Sequence, residues 1–466
     1  MPSDRDRPAL DEGLLSPVTV GHDETVTDAA YLDALVTAEV ALARAYREVG
    51  LAPDEAVDEI ETEFGWQGAL RGCRDHGVDG TALAAAAVAG GNPVIPLVGR
   101  LKERVGVDAR LWVHRGATSQ DIVDTAAMVV ARAATSRIVA ALVHTEVSLR
   151  SLARSRRDEV AAARTLTQHA VPTTVGLRAA GWLRAVERAK ERVEEAQHRL
   201  PAQLGGAAGT LASFTEIAGP EAAAALPAAF AHELGLAAPD APWHTSRWPV
   251  TELGDALVQA IDAVGKIATD VATLSRTEIG ELAEGAGGGS SAMPQKRNPA
   301  ASVLIRSAAL RAPQLGATLH LASALAADER PDGAWHAEWP TLRELLRLAL
   351  GATAHAASLV AGLHVDTDAV ARNLAATGGL IVSERLSIVL GPVLGAARVA
   401  ELVTEAAAGG DLAALLGASP DVAALAAAAG ATPEAFAADL LDPARYTGLA
   451  GRLVDEAAAR TAEEDA

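Results

Sequence analysis

The chain has a single cysteine, Cys73, among its 466 residues. No internal disulfide can form, and no cysteine cluster can hold a metal. Aromatic side chains make up only 3% of the chain, so its apolar half must come from Ala, Leu and Val. That composition favours closely packed helices. Positive charge is also scarce: 40 Lys and Arg face 60 Asp and Glu, for a net charge of −20. A surface this acidic argues against nucleic acid or anionic membranes as partners. An anionic substrate would need a local positive pocket. Apolar runs read as too short to cross a bilayer. The opening Met-Pro-Ser-Asp-Arg-Asp-Arg-Pro has no signal-peptide core. A soluble cytoplasmic protein of two or three domains is the expectation.

What the chain has in quantity is helical periodicity. Leu32, Leu35, Val36 and Val40 share one side of a helix expected over 28–49, ended by Gly50. Shorter helices reach about Arg104, with a break and restart at Gly91-Asn92-Pro93. A polar turn ending in Thr118-Ser119-Gln120-Asp121 opens a helix expected to run to about Arg156. A second turn, Arg164 to Thr174, opens one expected over 172–199. A third helix follows Pro249 to about Glu284, and a fourth runs from Pro299 to about Ala327. Asp328–Pro340 interrupts the pattern before another helix to about Leu363. Strand-like alternation is scarce, and residues 405–440 read as short surface helices. Helices near or beyond thirty residues imply a bundle, shared between chains. The class is all-α: a long central helix bundle over 112–364, with smaller helical N- and C-terminal domains over 1–111 and 365–466.

The chemistry gathers at polar turns. Gly285–Pro299 reads Gly-Ala-Gly-Gly-Gly-Ser-Ser-Ala-Met-Pro-Gln-Lys-Arg-Asn-Pro. Its glycines read as a mobile or tightly turned segment, followed by Ser290, Ser291, Lys296 and Asn298. Asn298-Pro299 has the form of an N-cap and first helical residue. Thr118-Ser119 and Thr173-Thr174 stand at two other helix starts. A helix start offers free N–H groups and partial positive charge. Three such turns, with His169, Arg247 and Lys296 nearby in sequence, point to a pocket for several carboxylates. Metal-ligand spacing is lacking, and Ser290 has no triad-type base beside it. Ser290 is then a proton carrier, with a nearby Lys to stabilise its alkoxide. Such a set suits elimination or addition across a carbon–carbon bond beside a carboxylate. The charge that develops there is an enediolate.

Ser-Ser-x-Met-Pro-x-Lys-x-Asn-Pro resembles the signature loop of the fumarase/aspartase superfamily. Gly116–Thr125 and Thr165–Thr174 match two further blocks. The resemblance implies a cofactor-free, metal-free helical homotetramer whose sites combine blocks from different subunits. It implies Ser290 as the acid or base at carbon, His169 at the second-acid position, and Lys296 with Asn298 as carboxylate holders. It implies Thr118, Ser119, Thr167, Gln168, Ser291 and Met293 as further substrate contacts. Arg247 is a candidate on sequence, against an ion pair with Glu252. Arg115–Asp121, Trp243–Arg247 and Glu329–Trp339 resemble bacterial 3-carboxy-cis,cis-muconate cycloisomerases, which close 3-carboxymuconate to 4-carboxymuconolactone in the protocatechuate branch of the beta-ketoadipate pathway. The alternative is a lyase on a succinate-type substrate, eliminating nitrite, an amine or a nucleotide to give fumarate. Many relatives carry a Glu that orients the histidine where this chain has Val303. Internal lactonisation tolerates that loss, whereas a poor leaving group does not.

Overall fold

The computed structural model describes residues 11–289 and 293–459, so Ser290 and Ser291 lie outside the described residues. Among these residues the fold is all-α, with strands confined to two small two-stranded sheets. The helices are α1 (Asp28–Glu48), α2 (Asp54–Glu63), α3 (Gly80–Gly90), α4 (Val94–Arg104), α5 (Val107–Arg110) and α6 (Ser119–Ser155). Then come α7 (Val175–His198), α8 (Ala212–Leu234), α9 (Trp248–Leu274), α10 (Ala300–Ala324) and α11 (Gly333–Ala361). The chain closes with α12 (Thr367–Ala375), α13 (Ser383–Leu394), α14 (Ala396–Ala407), α15 (Leu412–Gly417), α16 (Pro420–Ala428), α17 (Pro433–Leu441) and α18 (Ala450–Ala459).

Two units divide these elements. The first comprises residues 1–143, 188–265 and 304–356; the second comprises 144–187, 266–303 and 357–466. The long helices α6, α7, α9, α10 and α11, of 37, 24, 27, 25 and 29 residues, contribute to both. In the first unit α1 starts on Thr27, whose hydroxyl accepts from the Ala30 amide at 3.2 Å. Its Val36, Val40 and Leu42 are fully buried, each worth ~1.5–3 kcal/mol of transfer free energy. In the second unit Leu386, Leu390, Val399, Leu402, Leu416 and Val422 form a core for α13–α17.

Local chemistry moves several boundaries. The turn expected to open a helix at Pro172 is a β-hairpin, β1 (Val160–Thr165) and β2 (Gln168–Thr174). Leu166 and Thr167 both take positive φ, 48° and 73°, the geometry of a two-residue hairpin turn. Pro172 sits in a strand, and α7 starts only after Thr174, whose hydroxyl accepts from the Leu177 amide at 3.0 Å. Helix α9 stops at Leu274, ten residues before the expected Glu284. Gly280 turns the chain at φ +66°, and β3 (Leu282–Ala283) pairs with β4 (His364–Val365). Helix α11 begins at Gly333 and runs through Pro340, so the expected interruption is shorter. By length and composition α6 contains a stretch apolar enough to cross a membrane, which corrects the reading of its run length. In the first unit its Ile122, Ala126, Met128 and Ile138 are core residues.

Candidate active site

In the first unit the start of α6 is held by one buried carboxylate. Asp121 is fully buried and accepts from the amides of Thr118 (3.0 Å), Gly205 (2.9 Å) and Gly206 (3.0 Å). His244 Nε2 lies 2.8 Å from the same carboxylate. The capping-box spacing of Thr118 and Asp121 thus forms its Asp half. Gly116 precedes it at φ +77°, and a Cβ there would meet the Phe214 ring at 3.0 Å. The Thr118 hydroxyl accepts from Arg330 Nη2 at 2.5 Å. Arg330 also donates to the Ala207 carbonyl at 3.1 Å, and its Nε is buried without a partner. Thr118 and Ser119 are half-buried, so a hydroxyl pair and an arginine meet at a helix start.

Arg247 does not join them as a substrate ligand. It is 2% exposed. Its guanidinium meets Asp124 at 2.7 and 3.0 Å and Glu338 at 2.6 and 3.1 Å, over the Trp243 ring at 4.8 Å. The expected choice between a substrate and Glu252 is settled by neither: two carboxylates brought in by α6 and α11 take the donors. Trp335 Nε1 donates to Asp124 at 2.8 Å, and His336 Nε2 sits 3.0 Å from the Gly91 carbonyl. Both serve packing. A cavity of about 310 Å³ beside Arg247 is lined largely by apolar residues such as Leu35, Val123, Met128 and Val250, a poor wall for a polycarboxylate.

In the second unit the β1–β2 hairpin presents exposed Thr167 and Gln168 and half-buried His169. His169 pairs in register with Arg164. Arg164 Nη2 donates to Glu281 at 2.5 Å, and Arg178 lies 3.6 Å from that fully buried carboxylate. The imidazole has no hydrogen-bond partner among the described residues. Burial and the neighbouring Arg164 hold it below its ordinary pKa, with Glu281 opposing. Both effects favour the neutral imidazole.

The signature loop closes on itself. Gly288 and Asn298 exchange backbone hydrogen bonds of 2.8 Å each way, and Asn298 Nδ2 donates to the Gly289 carbonyl at 3.2 Å. Lys296 and Met293 are exposed. Asn298 is not the N-cap of α10. Glu284 takes that place, accepting from the amides of Ala301 (3.1 Å) and Ser302 (2.8 Å) and from the Ser302 hydroxyl (2.6 Å). The positive end of α10 is thus already matched by a carboxylate of the chain. Glu284 and Glu281 were invisible as functional residues, because their partners lie 17 or more residues away in sequence. Arg330 lies in the break between α10 and α11.

A family described as lyase matches residues 22–313. The chain belongs to this lyase family, within the fumarase/aspartase superfamily. It is 47% identical to a nitrosuccinate lyase of Streptomyces davaonensis, over 96% of this chain and 94% of that one. It is 39% identical to a 3-carboxy-cis,cis-muconate cycloisomerase of Pseudomonas aeruginosa, over 93% and 92%. The crystal structure of 3-carboxy-cis,cis-muconate lactonizing enzyme from Pseudomonas putida superposes with a TM-score of 0.86 at 35% identity, covering 97% of this chain and all of that one. The chain is thus an enzyme of a superfamily that includes lyases and cycloisomerases, and its all-α fold is theirs.

One titration in this enzyme bears on the Thr118 turn. His114 holds φ +56° and its Nδ1 lies 2.8 Å from Glu39, which is 2% exposed. Burial pushes the imidazole down, but the Glu39 carboxylate outweighs it and raises the pKa above 6.5. A raised histidine contributes stability that is full below its unfolded pKa and is lost as pH rises through the folded one. His114→Gln is expected to lose most stability relative to the parent at about pH 5.5 and least at about pH 8.5. Thermal denaturation at both pH values checks the sign, and a gap that widens with pH refutes it.

Proposed function

We propose that the protein is a lyase that eliminates nitrite from nitrosuccinate to give fumarate. The observation that carries this reading is the 47% identity to a nitrosuccinate lyase along nearly the whole of both chains. The chemistry of the site favours it too. In the proposed step Ser290 takes the proton from the carbon beside one carboxylate. The C–H pair becomes the new carbon–carbon double bond through an enediolate, and the C–N bond breaks with its electron pair leaving on nitrite. Lys296, Asn298 and Arg330 would hold the carboxylates as charge develops, with Thr118, Ser119, Thr167 and Gln168 lining the pocket. Nitrite is a weak base and departs without a proton. A neutral His169 and Val303 in place of a carboxylate therefore do not impede the step, whereas an amine leaving group needs an acid.

Cycloisomerisation of 3-carboxy-cis,cis-muconate is the second reading, supported by the 39% relative and the 0.86 superposition. It also needs no leaving-group acid. Parallel assays separate the two. Nitrosuccinate is expected to yield nitrite and fumarate in equal amounts. If instead only the diene absorbance of 3-carboxymuconate is lost, the nitrite reading fails.

The proposed site is completed between protomers of a homotetramer. Helix α10 leaves Leu310 and Leu321 exposed at 76% and 63%, and Leu325 just beyond its end is exposed at 71%; burying one leucine is worth ~1.5–3 kcal/mol. Leu310→Glu with Leu321→Glu is expected to yield smaller species by light scattering and to lower activity by roughly 100-fold or more, a loss on the order of 3 kcal/mol in transition-state binding. A fully active monomer would overturn this.

A further inference from the structure

A second cavity in the first unit has a charge opposite to that of the chain. It measures about 240 Å³ and lies among the first half of α1 (Ala30, Asp33, Thr37), the loop over 69–74 and the middle of α6. Four arginines line it, Arg71, Arg74, Arg132 and Arg137, against two acids, Glu24 and Asp33. Arg74 pairs with Asp33 and Arg137 with Glu24. Arg71 and Arg132 have no carboxylate partner among the described residues.

Arg132 is the unusual one. Its guanidinium donates only to backbone carbonyls, Leu234 and, at 2.9 Å, Ala69. Burial pushes its pKa down, with no acid opposing. A half-buried charge without a counter-charge is costly to fold, and a carbonyl dipole compensates it less than an anion does. Thr25 adds a buried hydroxyl on the same wall with no hydrogen-bond partner. Two unmatched cations thus line one small space, with an idle hydroxyl beside it, in a protein of net charge −20.

We propose that this cavity is a binding site for a small oxyanion of charge −2, either phosphate or a four-carbon dicarboxylate. Charge sets the valence: two internal ion pairs cancel, and two arginines remain. Size sets the class, since 240 Å³ lies below the roughly 300–1,000 Å³ of pockets for drug-sized ligands. None of the lining residues belongs to the candidate active site, so the inference stands whichever substrate the enzyme takes. A bound dianion would tie α1, the 69–74 loop and α6 together through Thr25, Arg71 and Arg132.

The test is calorimetric titration of the full-length Lys296→Ala protein, in which active-site binding is weakened, with inorganic phosphate and separately with succinate at low ionic strength. Saturable binding of one ion per protomer is expected for at least one of them, and which one binds tells the two sources apart. Adding Arg71→Ala and Thr25→Val, an exposed cation and a near-isosteric change, should loosen that binding tenfold or more. Circular dichroism confirms the fold, and Arg71→Gln alone replaces the pair if it does not fold. No saturable binding of either ion, or a smaller loss in the variant, overturns the proposal.

Discussion

Ser290→Ala is expected to lower kcat by roughly 10³-fold while leaving KM within a few-fold. A positioned proton carrier supplies roughly 10²–10⁴-fold, and it does so only as the proton moves, so the loss falls on kcat. Lys296→Met should cost roughly 10²–10³-fold, the scale for removing one preorganised donor from a developing oxyanion. His169→Ala, by contrast, should cost less than about tenfold, well under the roughly 10²–10⁴ of a working acid or base. Burial and Arg164 favour its neutral form, and neither nitrite release nor lactonisation asks it for a proton. Steady-state kinetics of the three variants decide this. A His169→Ala loss as deep as that of Ser290→Ala would make the imidazole the acid after all, and would return amine or nucleotide elimination to contention.

Arg247→Met is expected to destabilise the fold by about 3–5 kcal/mol, the cost of breaking a buried ion pair from one side. The variant leaves Asp124 and Glu338, both 3% exposed or less, facing each other without the cation. Burial already raises the Glu338 carboxyl, with Arg247 opposing that rise. Removing the opposition raises the Glu338 carboxyl further. A carboxyl whose folded pKa lies above its unfolded value takes up protons on folding, so stability falls as pH rises through that window. The gap between parent and variant should therefore narrow from pH 7 towards about pH 5. Replacing the acids as well, with Asp124→Asn and Glu338→Gln, should recover part of the loss. A variant whose denaturation midpoint matches the parent at pH 7 would mean that Arg247 is not a structural charge, and its expected role at the substrate would reopen.

Helix existence was legible where the apolar period was long: α1, α4 and α6 lie within two residues of their expected ends, because capping chemistry and periodicity agree there. The restart at Val94 was readable for the same reason. Asn92 Oδ1 accepts from the Val94 amide at 3.1 Å, a purely local bond. The β1–β2 hairpin was not readable. Its turn, Leu166-Thr167, lacks the Gly or Asn that marks a positive-φ pair, and its pairing depends on contacts the local pattern does not contain. The lyase signature was legible residue by residue, since Ser290, Lys296 and Asn298 sit in a short contiguous run.

By itself, the sequence determined the class of helical enzyme, its family and the chemical types available at the site, because periodicity, capping and short motifs are local properties. Only the tertiary structure decided which charges are already matched. Arg247 is taken by Asp124 and Glu338, Glu284 occupies the start of α10 in place of Asn298, and Arg330 rather than Arg247 stands at Thr118. Those assignments join residues 17 to 212 positions apart. A charge finds its partner through space, and its spacing along the chain does not say which partner that is.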